Sequence, residues 1–139
     1  MATALRLLRG RVRSSHELRQ SLTAHGLPAD QIPRIVRECE RRGILDDEAA
    51  ARLWAQQWAD RGYGWPAIRH RLLAKGFSEQ TAASAGQRLG VSAAAEAQRA
   101  NAWAARQRRR GVPRQRILRQ LASRGFDPEL MELRDDHTE

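Results

Sequence analysis

One stretch limits what this chain can fold into more than any other: Gly62-Tyr63-Gly64-Trp65-Pro66-Ala67-Ile68-Arg69-His70-Arg71-Leu72-Leu73-Ala74-Lys75-Gly76-Phe77. It reads as a glycine-rich turn, a short helix opened by Pro66, and a glycine stop followed by a large apolar residue. Proline is accepted in a first helical turn because its missing N–H would have no intrahelical partner there. Gly76 can adopt the left-handed conformation that ends a helix, and Phe77 can then fold back on it. Two weaker copies flank the stretch. Ser14 to Leu27 carries Leu18, Leu22 and Gly26-Leu27; Pro113 to Phe126 carries Ile117, Leu121 and Gly125-Phe126; the middle copy carries Ile68, Leu72 and Gly76-Phe77. A recurrence about fifty residues apart is the signature of an internal repeat.

Helical periodicity fills the rest of the chain, and no stretch alternates with the period of a strand. Residues 3–9 read as a short helix with Leu5 and Leu8 on one side, closed by Gly10. Ser14-Ser15-His16-Glu17 matches a capping box, in which the Ser14 hydroxyl and the Glu17 carboxylate satisfy each other's backbone N–H. The next helix starts near Pro28 or Asp30; with Asp30 as cap, Pro33 falls in the first turn. Ile32, Ile35, Val36 and Cys39 form its apolar stripe, and Arg41-Arg42-Gly43 ends it. Asp46 or Asp47 caps a helix over 48–60, with Trp54 and Trp58 on one face beside Ala51 and Ala55. Ser78 caps a helix carrying Ala82, Ala85 and Leu89, closed by Gly90. Ser92 opens an Ala-rich helix from Ala93 to about Arg110, with Ala100 and Trp103 inward, and Pro113 to Arg124 follows. Asp127-Pro128-Glu129 caps a last short helix through Leu130 and Leu133. The pattern predicts an all-α fold of nine helices: three tandem three-helix repeats over 2–43, 44–90 and 91–135. Such units bury little alone, so they are expected to pack into an elongated curved array. Trp54, Trp58 and Trp103 are expected to supply much of the core area.

At 139 residues there is room for one domain or a short array of small units. No apolar run approaches the roughly 18 residues of a membrane span. The N-terminus has too short an apolar stretch for a secretory signal. The single Cys39 excludes an internal disulfide and is compatible with a reducing cytoplasm. His16, His25, His70 and His137 lack the spacing of a metal set, and one cysteine cannot make a zinc site. His25 beside a helix-ending glycine suits carbonyl ends, and Cys39 on an apolar stripe suits a small hydrophobe. Asp46-Asp47 suits a cap better than a metal. With no phosphate-binding or nucleophile motif either, an enzyme is not expected, nor a cofactor.

The formal charge is +9, and all but one of the 25 basic residues are Arg. A GC-rich genome explains the preference for Arg over Lys better than it explains the excess charge, which favours polyanionic or acidic partners. Arg69, Arg71 and Lys75 lie on the polar side of the middle helix, with Tyr63 and Trp65 in the turn before it. Arg114, Arg116, Arg119 and Arg124 do the same in the third unit, and Arg11, Arg13 and Arg19 border the first. If the units stack in register, these groups form one basic strip interrupted by aromatic rings, suited to phosphates, bases or carboxylates. The run Arg106–Arg110 either complements a helix C-terminus or reaches phosphate.

These residues resemble a known family. Arg11-Val12-Arg13-Ser14-Ser15-His16-Glu17-Leu18 with Leu22 and Gly26 is similar to the opening motif of the RecX family. Gly43-Ile44-Leu45-Asp46-Asp47 is similar to its G-Y-L-D-D segment, with Ile44 in place of the usual Tyr. Gly62-Tyr63-Gly64, Pro66, Ile68-Arg69, Leu72 and Lys75-Gly76 resemble its G-x-G-x-x-x-I-x-x-x-L-x-x-K-G segment, and Arg124-Gly125-Phe126 its last-unit R-G-[FY]. Ala49-Ala50 depart from a common Arg-Phe. The resemblance implies a cytoplasmic, monomeric regulator of the RecA recombinase, built from three three-helix repeats. It would lodge in the groove of the RecA–single-stranded DNA filament and restrain assembly, ATP hydrolysis, strand exchange and LexA cleavage. The contact residues it would use are sought among Arg11, Arg13, Arg19, Tyr63, Arg69, Arg71, Lys75, Arg116, Arg119 and Arg124. A stand-alone module that binds single- or double-stranded DNA remains the alternative, since three-helix units can present a helix to a groove.

Overall fold

The computed structural model describes residues 1–127. These form eight helices and no strand: α1 (Ala2–Leu8), α2 (Ser15–Ala24), α3 (Ile32–Arg41), α4 (Asp47–Asp60), α5 (Trp65–Ala74), α6 (Glu79–Leu89), α7 (Ala93–Arg109) and α8 (Arg114–Ser123). The ninth helix expected after Asp127 lies outside the described residues, with Pro128, Glu129, Leu130 and Leu133.

Local chemistry sets most boundaries. Ser14 and Glu17 form the complete capping box, each side chain bonded to the other's backbone N–H at 3.0 Å. Asp46, not Asp47, caps α4; Ser78 and Ser92 cap α6 and α7. Gly76 adopts φ +93, which only glycine takes without strain, and the Phe77 N–H returns to the Leu72 carbonyl at 3.2 Å. The same closure recurs at Gly26-Leu27 and Gly125-Phe126. Two expectations need correction. α3 begins at Ile32 after Gln31, without a side-chain cap; Pro33 keeps its place in the first turn, but Asp30 is not the cap. In α1 the inward residues are Ala4, Leu7 and Leu8, and Leu5 points outward at 40 % exposure. A short helix can bury only one narrow stripe, and the turn to α2 decides which.

The apolar residues gather in three clusters. Ala4, Leu18, Leu22, Ile32, Val36 and Cys39 join α1, α2 and α3. Ala51, Ala55, Trp58, Ile68, Leu72 and Phe77, with Ala82 and Ala85, join α4, α5 and α6. Ala100, Ala104, Ile117, Leu121 and Phe126 join α7 and α8. Leu18, Leu22, Ile68 and Leu72 are among the largest fully buried side chains, each contributing about 1.5–3 kcal/mol by leaving water. Trp58 is buried, but Trp54 and Trp103 are only half-buried at the cluster edges. They supply less core area than the sequence suggests. Trp65, read from the sequence as part of the basic strip, instead packs against α6, where a Cβ on Gly86 would stand 2.8 Å from its ring.

The clusters meet through two junctions built alike. At the first, the buried Ser14 hydroxyl at the head of α2 donates to the carbonyl of Lys75, just past α5, at 2.6 Å. At the second, the Gly64 N–H at the head of α5 donates to the carbonyl of Arg124, just past α8, at 2.7 Å. Each junction also places an acidic side chain on the first N–H of the middle helix: Asp47 accepts from Ser15 N at 2.8 Å, and Glu96 from Trp65 N at 2.7 Å. Negative charge there complements the helix dipole.

Close approach at the second junction makes a stability test. Gly64 has an ordinary φ of −78, but a Cβ there would stand 2.8 Å from the Gly125 carbonyl oxygen. Gly43 has φ +75 and open space around it. Gly43→Ala should therefore cost about 1 kcal/mol from the left-handed backbone alone, and Gly64→Ala about 2–3 kcal/mol from overpacking. Urea unfolding followed by tryptophan fluorescence reads both, and equal costs would rule out the tight junction.

Candidate interaction surface

The cations nearest the middle of the molecule are held on aromatic rings. Lys75 Nζ lies 4.0 Å from the centroid of Trp54, and Trp54 stacks on Trp58 with centroids 5.3 Å apart and planes inclined by 26°. The Arg71 guanidinium stands 5.7 Å from the Trp58 centroid and 4.3 Å from that of Tyr63. Arg124 stands 5.7 Å from Tyr63 and 5.4 Å from Trp103. The result is a ladder, Lys75–Trp54–Trp58–Arg71–Tyr63–Arg124–Trp103, which crosses from one junction to the other. Each cation–ring contact contributes about 0.5–2 kcal/mol, more where water is excluded.

The ends of the ladder are anchored. Lys75 pairs with Glu17 at 3.3 Å, so one carboxylate both closes the α2 capping box and ties α2 to α5. Arg124 Nη1 donates to the Arg61 carbonyl at 2.5 Å. The Trp54 indole donates to the Val12 carbonyl at 3.2 Å. Beside the ladder, Arg99 lies over the Phe126 ring and donates to the carbonyls of Ala59 and Tyr63. It also pairs with buried Glu96 at 2.5 Å. A buried carboxylate is tolerable only when matched in this way. Sequence reasoning misses Arg99, Glu96 and Asp47 as junction residues, because nothing in an Ala-rich or capped helix marks a long-range partner.

The sequence candidates therefore divide. Tyr63, Arg71, Lys75 and Arg124 come together in the ladder. Arg13 is occupied by the Leu7 carbonyl and the Ser21 hydroxyl at 2.9 and 3.0 Å. Arg69 turns toward α6 and pairs with Glu79 at 3.0 Å, while Arg71 faces α4. Residues two apart on a helix point about 200° apart, so the single strip expected from the sequence is split. Arg69 keeps 47 % of its side chain exposed, and an exposed pair of this kind holds weakly. Arg11, Arg19, Arg116 and Arg119 are exposed, as are Arg106, Arg108, Arg109 and Arg110 at the end of α7.

His25, Cys39 and Glu38 each engage the fold itself. His25 Nδ1 lies 2.8 Å from the Ser21 carbonyl. Burial pushes the Cys39 thiol up from its ordinary pKa, which suits a core hydrophobe rather than a thiolate nucleophile. At the end of α3, hydrogen bonds from Arg41 and then Arg42 hold the Glu38 carboxyl down to about 2. Among the described residues no group of three or more His, Cys, Asp or Glu side chains is placed to hold a metal ion, and no helix is long and apolar enough to cross a membrane.

Ladder cations and outward cations are expected to behave differently on removal. Lys75→Ala and Arg124→Ala should each lower stability by about 1–2 kcal/mol. Arg19→Ala, Arg116→Ala and Arg119→Ala should stay within about 0.5 kcal/mol of the wild type. Thermal unfolding distinguishes the two sets, and similar losses in both would dismiss the ladder as a stabilising feature.

No profile of a known protein family matches the chain. Individual proteins do. The chain is 32% identical over 134 residues to the regulatory protein RecX of Mycolicibacterium smegmatis, covering 88% of this chain and 70% of that protein. It is 34% identical over 83 residues to the regulatory protein RecX of Vibrio vulnificus, covering 60% of this chain and 54% of the relative. The regulatory protein RecX of Vibrio cholerae is 37% identical over 73 residues, so the match covers about half of either chain. In fold, the chain resembles the crystal structure of RecX from Lactobacillus salivarius with a TM-score of 0.79 at 17% identity, covering 94% of this chain and 88% of that one. A second crystal structure of a regulatory protein RecX gives 0.77 at 21% identity, over 97% of this chain and 69% of that one. An all-helical fold shared with two RecX structures, and sequence identity along most of its length with a curated relative, show that this chain belongs to the RecX family of regulatory proteins.

Proposed function

We propose that this chain regulates the RecA recombinase by binding the RecA–single-stranded DNA filament and restraining its assembly, ATP hydrolysis, strand exchange and co-protease activity. The observation that carries the proposal is the 32% identity over 134 residues to a protein named regulatory protein RecX. The site adds physical support. Arg69, Arg116 and Arg119 are exposed on α5 and α8, and the formal charge is +9. A filament groove lined with phosphates and carboxylates would meet those guanidiniums, which bind both groups in bidentate fashion.

On this reading the helices form three tandem units, 2–43, 44–90 and 91–135, packed as an elongated curved array. The alike junctions at Ser14–Lys75 and Gly64–Arg124 favour it, since stacked units repeat their contacts. The protein would act as a monomer in the cytoplasm, as a non-enzymatic regulator without a cofactor. The ladder would keep the units in register so that the outward arginines hold a fixed spacing. Direct binding to DNA without RecA is the second reading, favoured by the exposed run Arg106–Arg110 close to α8. Its mark would be an affinity that falls steeply with salt through counterion release.

RecA's DNA-dependent ATPase is the deciding assay. Substoichiometric addition of the protein should lower the rate and shorten the filaments. Arg69→Glu combined with Arg119→Glu should remove most of that effect while leaving the helical circular dichroism intact. An unchanged rate with the wild-type protein would sink the proposal. Full inhibition by the double variant would move the contact away from these arginines.

A further inference from the structure

The outer face of α4 carries residues, Arg52 and Leu53 among them, that the ladder and the RecA reading leave unused. Ala49, Arg52, Leu53 and Gln56 line up there, at the three- and four-residue spacing of one helix face. Leu53 is 51 % exposed, the most of the large hydrophobic residues exposed in the described chain. It stands as a ridge between two surface clefts. One cleft, of about 330 Å³, is walled by Arg52, Leu53, Arg88 and Leu89. The other, of about 380 Å³, is walled by Arg11, Val12, Leu53, Trp54 and Lys75. Val12, at 38 %, is another of the exposed large hydrophobics. Single exposed leucines are ordinary, but an apolar ridge between concave walls rimmed with charge is the anatomy of a binding surface.

The charge on the rim is predominantly positive. The Arg11, Arg52 and Arg88 side chains engage no carboxylate among the described residues. No acidic residue lines the cleft beside Arg88. Glu17, in the other cleft, is already bonded to the Ser14 N–H and Lys75. We propose that this face docks an acidic protein segment that presents a leucine-like anchor to the clefts beside Leu53, with flanking carboxylates meeting Arg11, Arg52 and Arg88. A nucleic acid fits less well. Leu53 and Val12 offer no π-face for a base, and Lys75 already sits on the ring of Trp54. The proposal shares Arg11 with the contact candidates of the RecA reading but does not rest on that reading, because Arg52, Leu53 and Arg88, the residues its test changes, belong to none of those contacts.

Fluorescence anisotropy with three labelled probes tests it on the full chain. The probes are a synthetic amphipathic helix with leucines along one face among glutamates, its counterpart with glutamine for glutamate, and an oligothymidylate. The acidic helix should bind, and the glutamine counterpart should bind about tenfold more weakly. Leu53→Asp, and separately Arg52→Glu with Arg88→Glu, should each weaken the acidic helix by about tenfold or more, with helical circular dichroism unchanged. The oligothymidylate signal should be the same for wild type and Leu53→Asp. Failure of the wild type to bind the acidic helix, or wild-type affinity in both variants, overturns the proposal. Loss of oligothymidylate binding in Leu53→Asp overturns it in favour of nucleic acid. A dimer of the free protein that Leu53→Asp dissolves overturns it in favour of a second copy of this chain.

Discussion

One kind of hydrogen bond joins the apolar clusters to one another: the head of one middle helix donating to the carbonyl just past the end of the next. Ser14 makes it with its hydroxyl to Lys75, and Gly64 makes it with its N–H to Arg124. The last four carbonyls of a helix have no intrahelical donor, so each helix end offers acceptors at defined points in space. Using one such acceptor to hold the neighbouring cluster fixes both the distance and the rotation between the two. Ser14 is fully buried, so losing its bond would strand a hydroxyl donor away from water.

The residues that supply these carbonyls also supply the ladder. Lys75 and Arg124 give the backbone oxygen to the junction and the side-chain cation to a ring, Trp54 in one case and Trp103 in the other. Backbone and side chain thus hold the same joint by different physics. The hydrogen bond is short-ranged and directional; the cation–ring contact is broader and tolerates small rotations. Joints held by both kinds of contact resist rotation as well as separation of neighbouring clusters. The small apolar clusters, rich in alanine, would not by themselves prevent sliding.

Membership of the RecX family and the exposed arginines bear on different questions. The first says what kind of protein this is. The second says where a partner with phosphates or carboxylates finds purchase. Arg71, Lys75 and Arg124 illustrate why the two should be kept apart. Their position in sequence marks them as contact residues, yet two of them are half-buried and all three are engaged with rings of the same chain. Arg69 and Arg119 retain free or weakly held charge, and are the positions at which the functional proposal is tested for that reason.

Much of the fold is legible in the residues themselves. The glycine stops at Gly26, Gly76 and Gly125, the caps at Ser14, Ser78 and Ser92, and the pairs Leu18/Leu22, Ile68/Leu72 and Ile117/Leu121 act within a turn or two of helix. Their consequences follow from local geometry. Even the repetition of the motif is visible in the order of residues alone. What only the tertiary structure decided is the assignment of charges to tasks. Arg69 and Arg71 are alike in sequence, but a helix turns them to opposite neighbours, Glu79 and the Trp58–Tyr63 pair. Arg99 became a clamp on the Ala59 and Tyr63 carbonyls, and Trp65 a packing partner of Gly86, each through residues far off in the chain. A guanidinium binds whatever acceptor or ring packing brings within reach, and that is a property of the assembled helices, not of the residue's neighbours in the chain.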